Sequence, residues 1–188
     1  AQDIQLEFEA IGTHWRINLN APAVDAPRIS AIITRRIKQF DASYSRFRPD
    51  SWLVFVGNNP GKHQVPTDFE PIFKLYQNLY KLTDGAVTPL IGDAMERAGY
   101  DANYSLVTQP LVAIPDFTEV LQLKDNTLHV KYKCVIDVGA AGKGYLVDLV
   151  SAELSKQGIS SFTIDAGGDI YTTSPTPLAI GLEDPSDT

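Results

Sequence analysis

One stretch limits the folds open to this chain more than any other: residues 133–148, KCVIDVGAAGKGYLVD. Within it an apolar run meets three glycines and a lysine, and a helix-like segment follows. This order predicts a strand, a tight turn and a helix from about Lys143 to Gln157. The free N–H groups of a helix N-terminus favour an anion, and Lys143 adds positive charge. The stretch alone leaves two interpretations open, a structural turn and an anion-binding site.

Two familiar phosphate-binding motifs do not fit this stretch. A P-loop has four residues between its glycines and a Ser or Thr after its lysine. Here two residues separate Gly139 from Gly142, and Gly144 follows Lys143; the spacing of G-x-G-x-x-G is also missing. Asp137 still indicates binding, because a carboxylate at the end of an apolar run needs a partner. That partner is a helix N-terminus, a ligand donor or a metal.

Composition narrows the class of protein. The chain has 188 residues, 44% of them hydrophobic, which predicts one globular domain over residues 1–188, or one domain with a lobe. A formal charge of −7 argues against a nucleic-acid-binding surface, which needs clustered Lys and Arg. Cys134 is the only cysteine, so an intrachain disulfide is excluded. No stretch is apolar for long enough to suggest a membrane span, and the N-terminus AQDIQLEFEA does not resemble a signal peptide.

Residue patterns elsewhere predict a mixture of strands and helices. The first half is predicted to contain a hairpin over residues 4–20 with its turn at Gly12, a helix from Asp25 to about Asp41, loop and short strand over 44–66, and a helix between a capping box at Thr67 and Glu70 and a C-terminal Gly85. The second half is predicted to contain loop over 83–95, irregular surface over 99–118, a hairpin over 120–130, and the strands FTID and LAIGLE, with the glycine turn AGGD after FTID.

Three features of the sequence are weaker signals than the glycine-rich stretch at residues 139–144. The sequence DAGGD at residues 165–169 repeats its pattern, although an Asp-capped turn is the simpler interpretation. Phe47 lies between Arg46 and Arg48 and could support a flat ring, but a half-buried Phe with solvated arginines is the commoner arrangement. The three histidines share no metal-ligand spacing and are interpreted as surface or strand residues: His14, His63 and His129.

The order of these motifs along the chain is more specific than any one of them. IGTHW, SYSRFRPDS, TDGAVTPLIGD, DVGAAGKGYLVD, IDAGGDI and IGLEDP follow one another between residues 11 and 185. In this order they resemble the successive motifs of the FAD:protein FMN transferase family, the ApbE proteins. The resemblance implies an α+β, T-fold-like architecture, mainly antiparallel sheet with packed helices, that encloses one FAD.

The same resemblance implies a reaction and its partners. Family members use Mg²⁺ to transfer FMN from FAD to a threonine hydroxyl of an acceptor flavoprotein and release AMP. The acceptors are subunits of membrane redox complexes. The resemblance also favours the bacterial cell envelope, outside the cytoplasm and anchored to the membrane, with the signal segment absent from this chain. Two alternatives stay open: a flavin-nucleotide binding module without catalysis, and an FAD pyrophosphatase that yields FMN and AMP.

The resemblance assigns roles to particular residues. The positions that match FAD contacts are Ile11, Phe47, Ala86, Val87, Thr88, Asp137 and Lys143. Ala140 matches a residue whose backbone carbonyl helps to hold the metal. No residue is assigned as catalytic. Attack on a pyrophosphate needs charge neutralisation and in-line positioning, for which a glycine turn, a cation and a metal are suitable.

The chain departs from the family pattern at three places. Thr88 stands where Asp is usual, and Asp165 stands where Asn is usual. The third departure is the ending EDPSDT, because relatives continue with Asp and Thr residues that supply side-chain metal ligands. One carbonyl at Ala140 does not satisfy the six oxygens that Mg²⁺ prefers. A truncated or cleaved chain is therefore expected, ahead of a second polypeptide or a loss of metal-dependent transfer.

Overall fold

The N-terminal alternation of apolar and polar residues produces a β-hairpin, as predicted. The computed structural model of the chain describes residues 2–181. Strand β1 (Gln2–Ala10) pairs antiparallel with β2 (Thr13–Ala21), and the turn holds Ile11 and Gly12, both at positive φ. Alternate side chains of a strand point to opposite faces. The buried face of β2 is apolar: Trp15, Ile17, Leu19 and Ala21.

A four-stranded antiparallel sheet and two long helices form the first part of the core. Strands β6 (Phe162–Ala166) and β7 (Asp169–Thr172) complete the sheet, whose order is β1-β2-β6-β7. Helices α1 (Ala26–Tyr44) and α6 (Gly139–Lys156) contact each other and share the buried apolar cluster with the sheet. Their buried faces are formed mainly by Ile29, Ile33, Ile37 and Phe40 of α1 and by Leu146, Val147, Val150 and Leu154 of α6.

A smaller antiparallel sheet continues the same apolar cluster. Its strands are β3 (Gly61–Gln64), β4 (Leu121–Lys124) and β5 (Thr127–Val130), in the order β3-β5-β4. Helix α2 (Trp52–Asn58) precedes β3 in the chain, and the helices α3 (Phe69–Leu82), α4 (Gly92–Arg97) and α5 (Phe117–Val120) lie between β3 and β4. Among residues 2–181, no helix is long and apolar enough to cross a membrane.

The half-buried carboxylate of Asp68 joins three of the helices. Arg36 of α1 pairs with the carboxylate of Asp68, and the hydroxyl of Tyr44 donates to the same carboxylate. The hydroxyl of Tyr145, in α6, donates to the Asp68 carbonyl over 2.7 Å. Burial raises the pKa of Tyr44 well above its usual value, and the hydrogen bond to Asp68 acts in the same direction. These bonds hold the C-terminal end of α1 against α3 and α6.

Two helices appear where the sequence predicts loop. Within residues 44–66 the short strand is confirmed as β3, but Trp52–Asn58 form α2, whose N-cap Ser51 accepts a hydrogen bond from the Val54 N–H. Within 83–95, a 3₁₀ turn at Pro89–Ile91 leads into α4. Helices this short do not repeat an apolar stripe, so periodicity does not reveal them.

The bounds of the long helices also differ from prediction. The first helix runs to Tyr44, and the last begins at Gly139, four residues before the predicted start. At α3 the predicted capping box is wrong, because Asp68 is the N-cap and makes no side-chain capping bond. The C-terminal prediction is confirmed: Gly85 lies at φ +84 and its N–H donates to the Tyr80 carbonyl.

The two apolar runs predicted as strands near the C-terminus are not strands in the described residues. In KCVIDV, the N–H of Cys134 donates to the Gly57 carbonyl and that of Asp137 to the Pro89 carbonyl, so the run is fixed to α2 and the 3₁₀ turn. In LAIGLE, residues 178–181 are irregular, and the last two lie outside the described residues. The predicted α+β class, with antiparallel sheets and packed helices, is confirmed.

Candidate functional site

A cleft of about 390 Å³ opens where three distant parts of the chain meet. Its walls come from the β1–β2 turn, the end of α1 with the residues after it, and the first turn of α6. Four of the predicted site residues line it: Ile11, Phe47, Asp137 and Lys143. The volume lies within the usual range for small-molecule sites.

Asp137 is held by two groups of the protein. Its Oδ1 accepts a hydrogen bond from the Gly139 N–H at the start of α6 over 2.6 Å. Its Oδ2 accepts from Nε of Arg46, also over 2.6 Å. The side chain is 15% exposed, so the ion pair is largely shielded from water. Of the partners considered for this carboxylate, the structure shows a helix N-terminus, together with an arginine that the sequence did not identify.

The N-terminal N–H groups of α6 are partly satisfied within the protein. The Ala141 N–H contacts the Tyr76 hydroxyl at 3.2 Å, in addition to the carboxylate bond at Gly139. Burial raises the pKa of Tyr76 to about 12, and the negative charge of Asp137 also raises it. The hydroxyl therefore stays neutral at ordinary pH. Any anion at this helix terminus competes with, or adds to, these internal partners.

Lys143 connects α6 to the DAGGD turn. Its Nζ donates to the Gly167 carbonyl over 3.3 Å and lies 3.4 Å from Oδ2 of Asp169. In the same turn, Oδ1 of Asp165 accepts from the Gly168 N–H over 2.9 Å, which confirms the interpretation of an Asp-capped turn. Asp165, unusual in the family pattern, thus has a structural partner. Lys143 presents its charge at the junction of the cleft and this turn.

The aromatic side of the cleft is formed by Phe47 and its neighbours. The guanidinium of Arg46 lies 4.1 Å from the centroid of the Phe47 ring. The Tyr104 ring stacks against Phe47 with a centroid distance of 5.7 Å and an angle of 22°. The expectation of solvated arginines is confirmed for Arg48, whose side chain is 41% exposed, but it is wrong for Arg46, which is 6% exposed.

Sequence reasoning missed two participants here. Arg46 flanks Phe47 in the sequence, but it pairs with Asp137, which is 91 positions away. Tyr104 lies in a segment interpreted only as irregular surface. Neither contact has a local signal in the sequence.

The segment Ala86, Val87 and Thr88 does not line the cleft. Thr88 is buried, and its hydroxyl accepts a hydrogen bond from the Leu90 N–H, which caps the 3₁₀ turn. The next residue, Pro89, accepts from the Asp137 N–H, so the segment lies beside the cleft rather than in it. Its contact with FAD stays a prediction.

The residues described so far do not make a magnesium site by themselves. Ala140 is the second residue of α6, and a helix carbonyl is directed toward the C-terminal end of its helix. Within residues 2–181, no group of three His, Cys, Asp or Glu side chains is placed to hold a metal ion. The role of the Ala140 carbonyl stays a prediction, and the ending EDPSDT lies outside the described residues.

The fold and the cleft define a class of protein: an α+β protein with a cleft that places an aromatic ring beside cations and a helix N-terminus. The sequence model of the ApbE family matches residues 11–188. The chain belongs to the ApbE family.

Named relatives agree with this membership. The chain is 26% identical to an FAD:protein FMN transferase of Vibrio cholerae, over 99% of this chain and 60% of that protein. It is 22% identical to the Escherichia coli K12 protein of the same name, over 97% of this chain and 57% of that protein. The chain thus spans about 60% of the length of these relatives.

Solved structures show the same fold. The flavin transferase ApbE from Vibrio cholerae superposes with a TM-score of 0.79 at 23% identity, over 95% of this chain and 63% of that one. The ApbE protein from Thermotoga maritima gives 0.81 at 24% identity, over 98% and 64%. The ApbE architecture predicted from the motifs is confirmed.

Proposed function

We propose that this chain carries the flavin-nucleotide site of an enzyme that transfers FMN from FAD to a threonine hydroxyl of an acceptor flavoprotein and releases AMP. One observation carries the proposal. Ile11, Phe47, Asp137 and Lys143 come from three distant segments and line one cleft in a chain of the ApbE family. The relatives named FAD:protein FMN transferase support flavin transfer as the reaction class.

The reaction is a phosphoryl-group substitution. The threonine oxygen attacks the phosphorus next to the riboflavin moiety, and the bond from that phosphorus to the bridging oxygen breaks. AMP leaves with the bond electrons, and the hydroxyl proton passes to a base or to solvent. Such substitution depends on positioning and on neutralising the charge of the phosphates.

The residues of the cleft have matching parts in this proposal. Lys143, near the start of α6, supplies a cation at the cleft beside the DAGGD turn. Asp137, fixed by the Gly139 N–H and Arg46, is held rigidly enough to orient a donor group of the nucleotide. Phe47 offers an apolar ring surface at the same cleft, suited to the flat part of the nucleotide.

The proposal includes a requirement for Mg²⁺, with the Ala140 carbonyl as one ligand. The described residues do not fit a complete magnesium site, so none of the steps above depends on the metal. The proposed acceptor is a subunit of a membrane redox complex. The proposed location is the bacterial cell envelope, on the extracytoplasmic side.

A mass measurement tests the function. The protein is incubated with FAD, Mg²⁺ and an acceptor that carries the target threonine, and the acceptor mass and free AMP are followed. The expected result is an acceptor mass increased by one FMN less one water, as a phosphoester requires, with an equal amount of free AMP. An acceptor with Thr replaced by Val is the control and should stay unmodified.

The other outcomes decide between the alternatives. AMP without a change of acceptor mass would indicate an FAD pyrophosphatase. Bound FAD with neither product would indicate a binding module. Repeating the reaction with EDTA in place of Mg²⁺ tests the metal requirement, and undiminished transfer would contradict it.

A further inference from the structure

Arg46 is the most buried cation of the cleft. Its side chain is 6% exposed, compared with 30% for Lys143. Nε donates to Asp137 over 2.6 Å, and Nη2 donates to the Tyr100 carbonyl over 2.7 Å. The guanidinium carbon lies 4.1 Å from the Phe47 ring centroid. One side chain therefore fixes the acidic wall, the aromatic wall and the segment around Tyr100.

The third nitrogen of the same guanidinium is unsatisfied. Within residues 2–181, no atom accepts a hydrogen bond from Nη1 of Arg46, and the atom is buried. Oε1 of Glu96 is 3.7 Å from Nη1, which is an ion-pair distance but too long for a hydrogen bond. A buried charged donor without an acceptor is costly, and such a group in a native protein calls for an explanation.

An anionic ligand is the explanation that fits the position. Arg46 is among the residues that line the cleft, next to Asp137 and Phe47. An arginine can hold a carboxylate through one edge of its fork and a phosphate oxygen through another. Lys143 already contacts Gly167 and Asp169 and is partly exposed, whereas Nη1 of Arg46 is a buried donor for which no acceptor is found among residues 2–181.

We propose that Arg46 binds a phosphate oxygen of the flavin nucleotide through Nη1 while Nε keeps Asp137 in place. The proposal rests on the proposed function, because it takes the cleft to be the flavin-nucleotide site. Arg46 is then a ligand-binding residue that the family motifs do not assign.

Binding of three flavins to the protein tests this assignment. The dissociation constants of FAD, FMN and riboflavin are measured by flavin fluorescence for the native protein, Arg46→Met and Arg35→Met. Arg35 is exposed on α1 and outside the cleft, so it is the matched control. Arg46→Met should weaken FAD and FMN binding on the order of 10- to 100-fold, the range of a charge-assisted hydrogen bond. Riboflavin has no phosphate and should lose at most about threefold, and Arg35→Met should bind all three flavins like the native protein.

A purely structural Arg46 would give a different pattern. An equal loss for all three flavins would show that Arg46 only supports the walls and would overturn the phosphate contact. Glu96→Gln provides a second measurement, which stands even if Arg46→Met does not fold. Removing the competing carboxylate should leave FAD binding unchanged or a few-fold tighter. Weaker FAD binding in Glu96→Gln would show that Glu96, and not a phosphate, is the partner of Nη1 of Arg46.

The outcomes separate this inference from the proposed function. Native protein that binds FAD, together with an Arg46→Met variant that binds it equally well, overturns the role of Arg46 and leaves the function standing. If Arg46→Met weakens FAD and FMN binding as expected but the native protein transfers no FMN, the phosphate contact of Arg46 is supported and the transferase function is overturned. Native protein that binds neither FAD nor FMN overturns both.

Discussion

Gly167 is where two turns of the main sheet come into contact. It lies at φ +61 in the β6–β7 turn, and a Cβ atom there would be 1.9 Å from Oγ1 of Thr13. Thr13 begins β2 directly after the turn residues Ile11 and Gly12 that line the cleft. The carbonyl of Gly167 also accepts the hydrogen bond from Lys143. The two turns can therefore approach this closely only because residue 167 has no side chain.

Gly167→Ala should lower the free energy of unfolding by about 3 kcal/mol, because it combines left-handed backbone strain with a steric clash. Gly168→Ala is the matched control. Gly168 lies at φ +96 and has no atom within 4 Å of its Cβ position, so only strain applies and the loss should be about 1 kcal/mol. Urea unfolding followed by circular dichroism gives both values. Equal losses would show that the contact with Thr13 does not matter.

Cys134 should react slowly with thiol reagents in the folded protein. Burial raises the pKa of its thiol to about 11. Because the thiolate is the nucleophile, its rate with iodoacetamide at pH 8 should be roughly 100-fold below that of the urea-unfolded chain. The folded-state rate should still be rising with pH at pH 10. A folded-state rate at pH 8 equal to the unfolded one would contradict this.

At the scale of elements, Ser51 decides where α2 begins. Its side chain is fully buried, and its hydroxyl accepts a hydrogen bond from the Val54 N–H over 3.2 Å. This bond satisfies one of the N–H groups that a helix N-terminus leaves free. Trp52, the first residue of α2, packs edge-on against Phe69 of α3, so the position of α2 affects the core.

Ser51→Ala should reduce the free energy of unfolding by about 1–2 kcal/mol, the usual loss for an N-cap. Thr67→Ala is the control, because Thr67 is exposed and the capping box predicted from it does not form at α3. That variant should differ from the native protein by less than about 0.5 kcal/mol. Both are measured by thermal or urea unfolding, and a larger loss for Thr67→Ala would restore the capping-box interpretation.

Elements with a repeating apolar pattern or a clear turn signal could be predicted from the sequence, including the hairpin of β4 and β5, whereas α2 and α4 could not. The hairpin of β1 and β2 and the helix α1 repeat their apolar positions several times, so the period is visible. Helix α2 has seven residues and reads as an apolar run. KCVIDV also reads as an apolar run, yet it bonds to Gly57 and Pro89 and joins no strand. Only tertiary contacts distinguish the two runs.

At the scale of the whole molecule, the cleft exists only because distant parts of the chain fold together. The family motifs predicted Ile11, Phe47, Asp137 and Lys143, and the structure brings all four to one cleft. The bond between Arg46 and Asp137 could not be predicted, because it depends on where α1 ends relative to α6. Ala86, Val87 and Thr88 carry the same kind of motif signal but lie outside the cleft lining.

A ligand in such a cleft should stabilise the entire fold. FAD at 100 times its dissociation constant should raise the free energy of unfolding by about 2.7 kcal/mol, by mass action. The measurement is thermal unfolding at increasing FAD concentrations. In Asp137→Ala the same FAD concentration should give a clearly smaller increase, because the carboxylate and its anchor at Gly139 are lost. An identical increase in the free energy of unfolding in the variant would show that Asp137 does not contribute to FAD binding.

The Tyr104 ring stacked on Phe47 has a kinetic consequence. With Tyr104 in place, a flavin ring that uses this face of Phe47 must wait until the stack opens. Observed rates in stopped-flow mixing should therefore reach a plateau at high FAD concentration, where opening limits the rate. In Tyr104→Ala the plateau should disappear, and the observed rate should rise linearly with FAD concentration. A linear rise in the native protein would contradict this, because it would mean that flavins reach Phe47 without any opening of the stack. If the plateau is seen, Tyr104 controls the rate at which the flavin binds, while Phe47 and its neighbours determine the affinity.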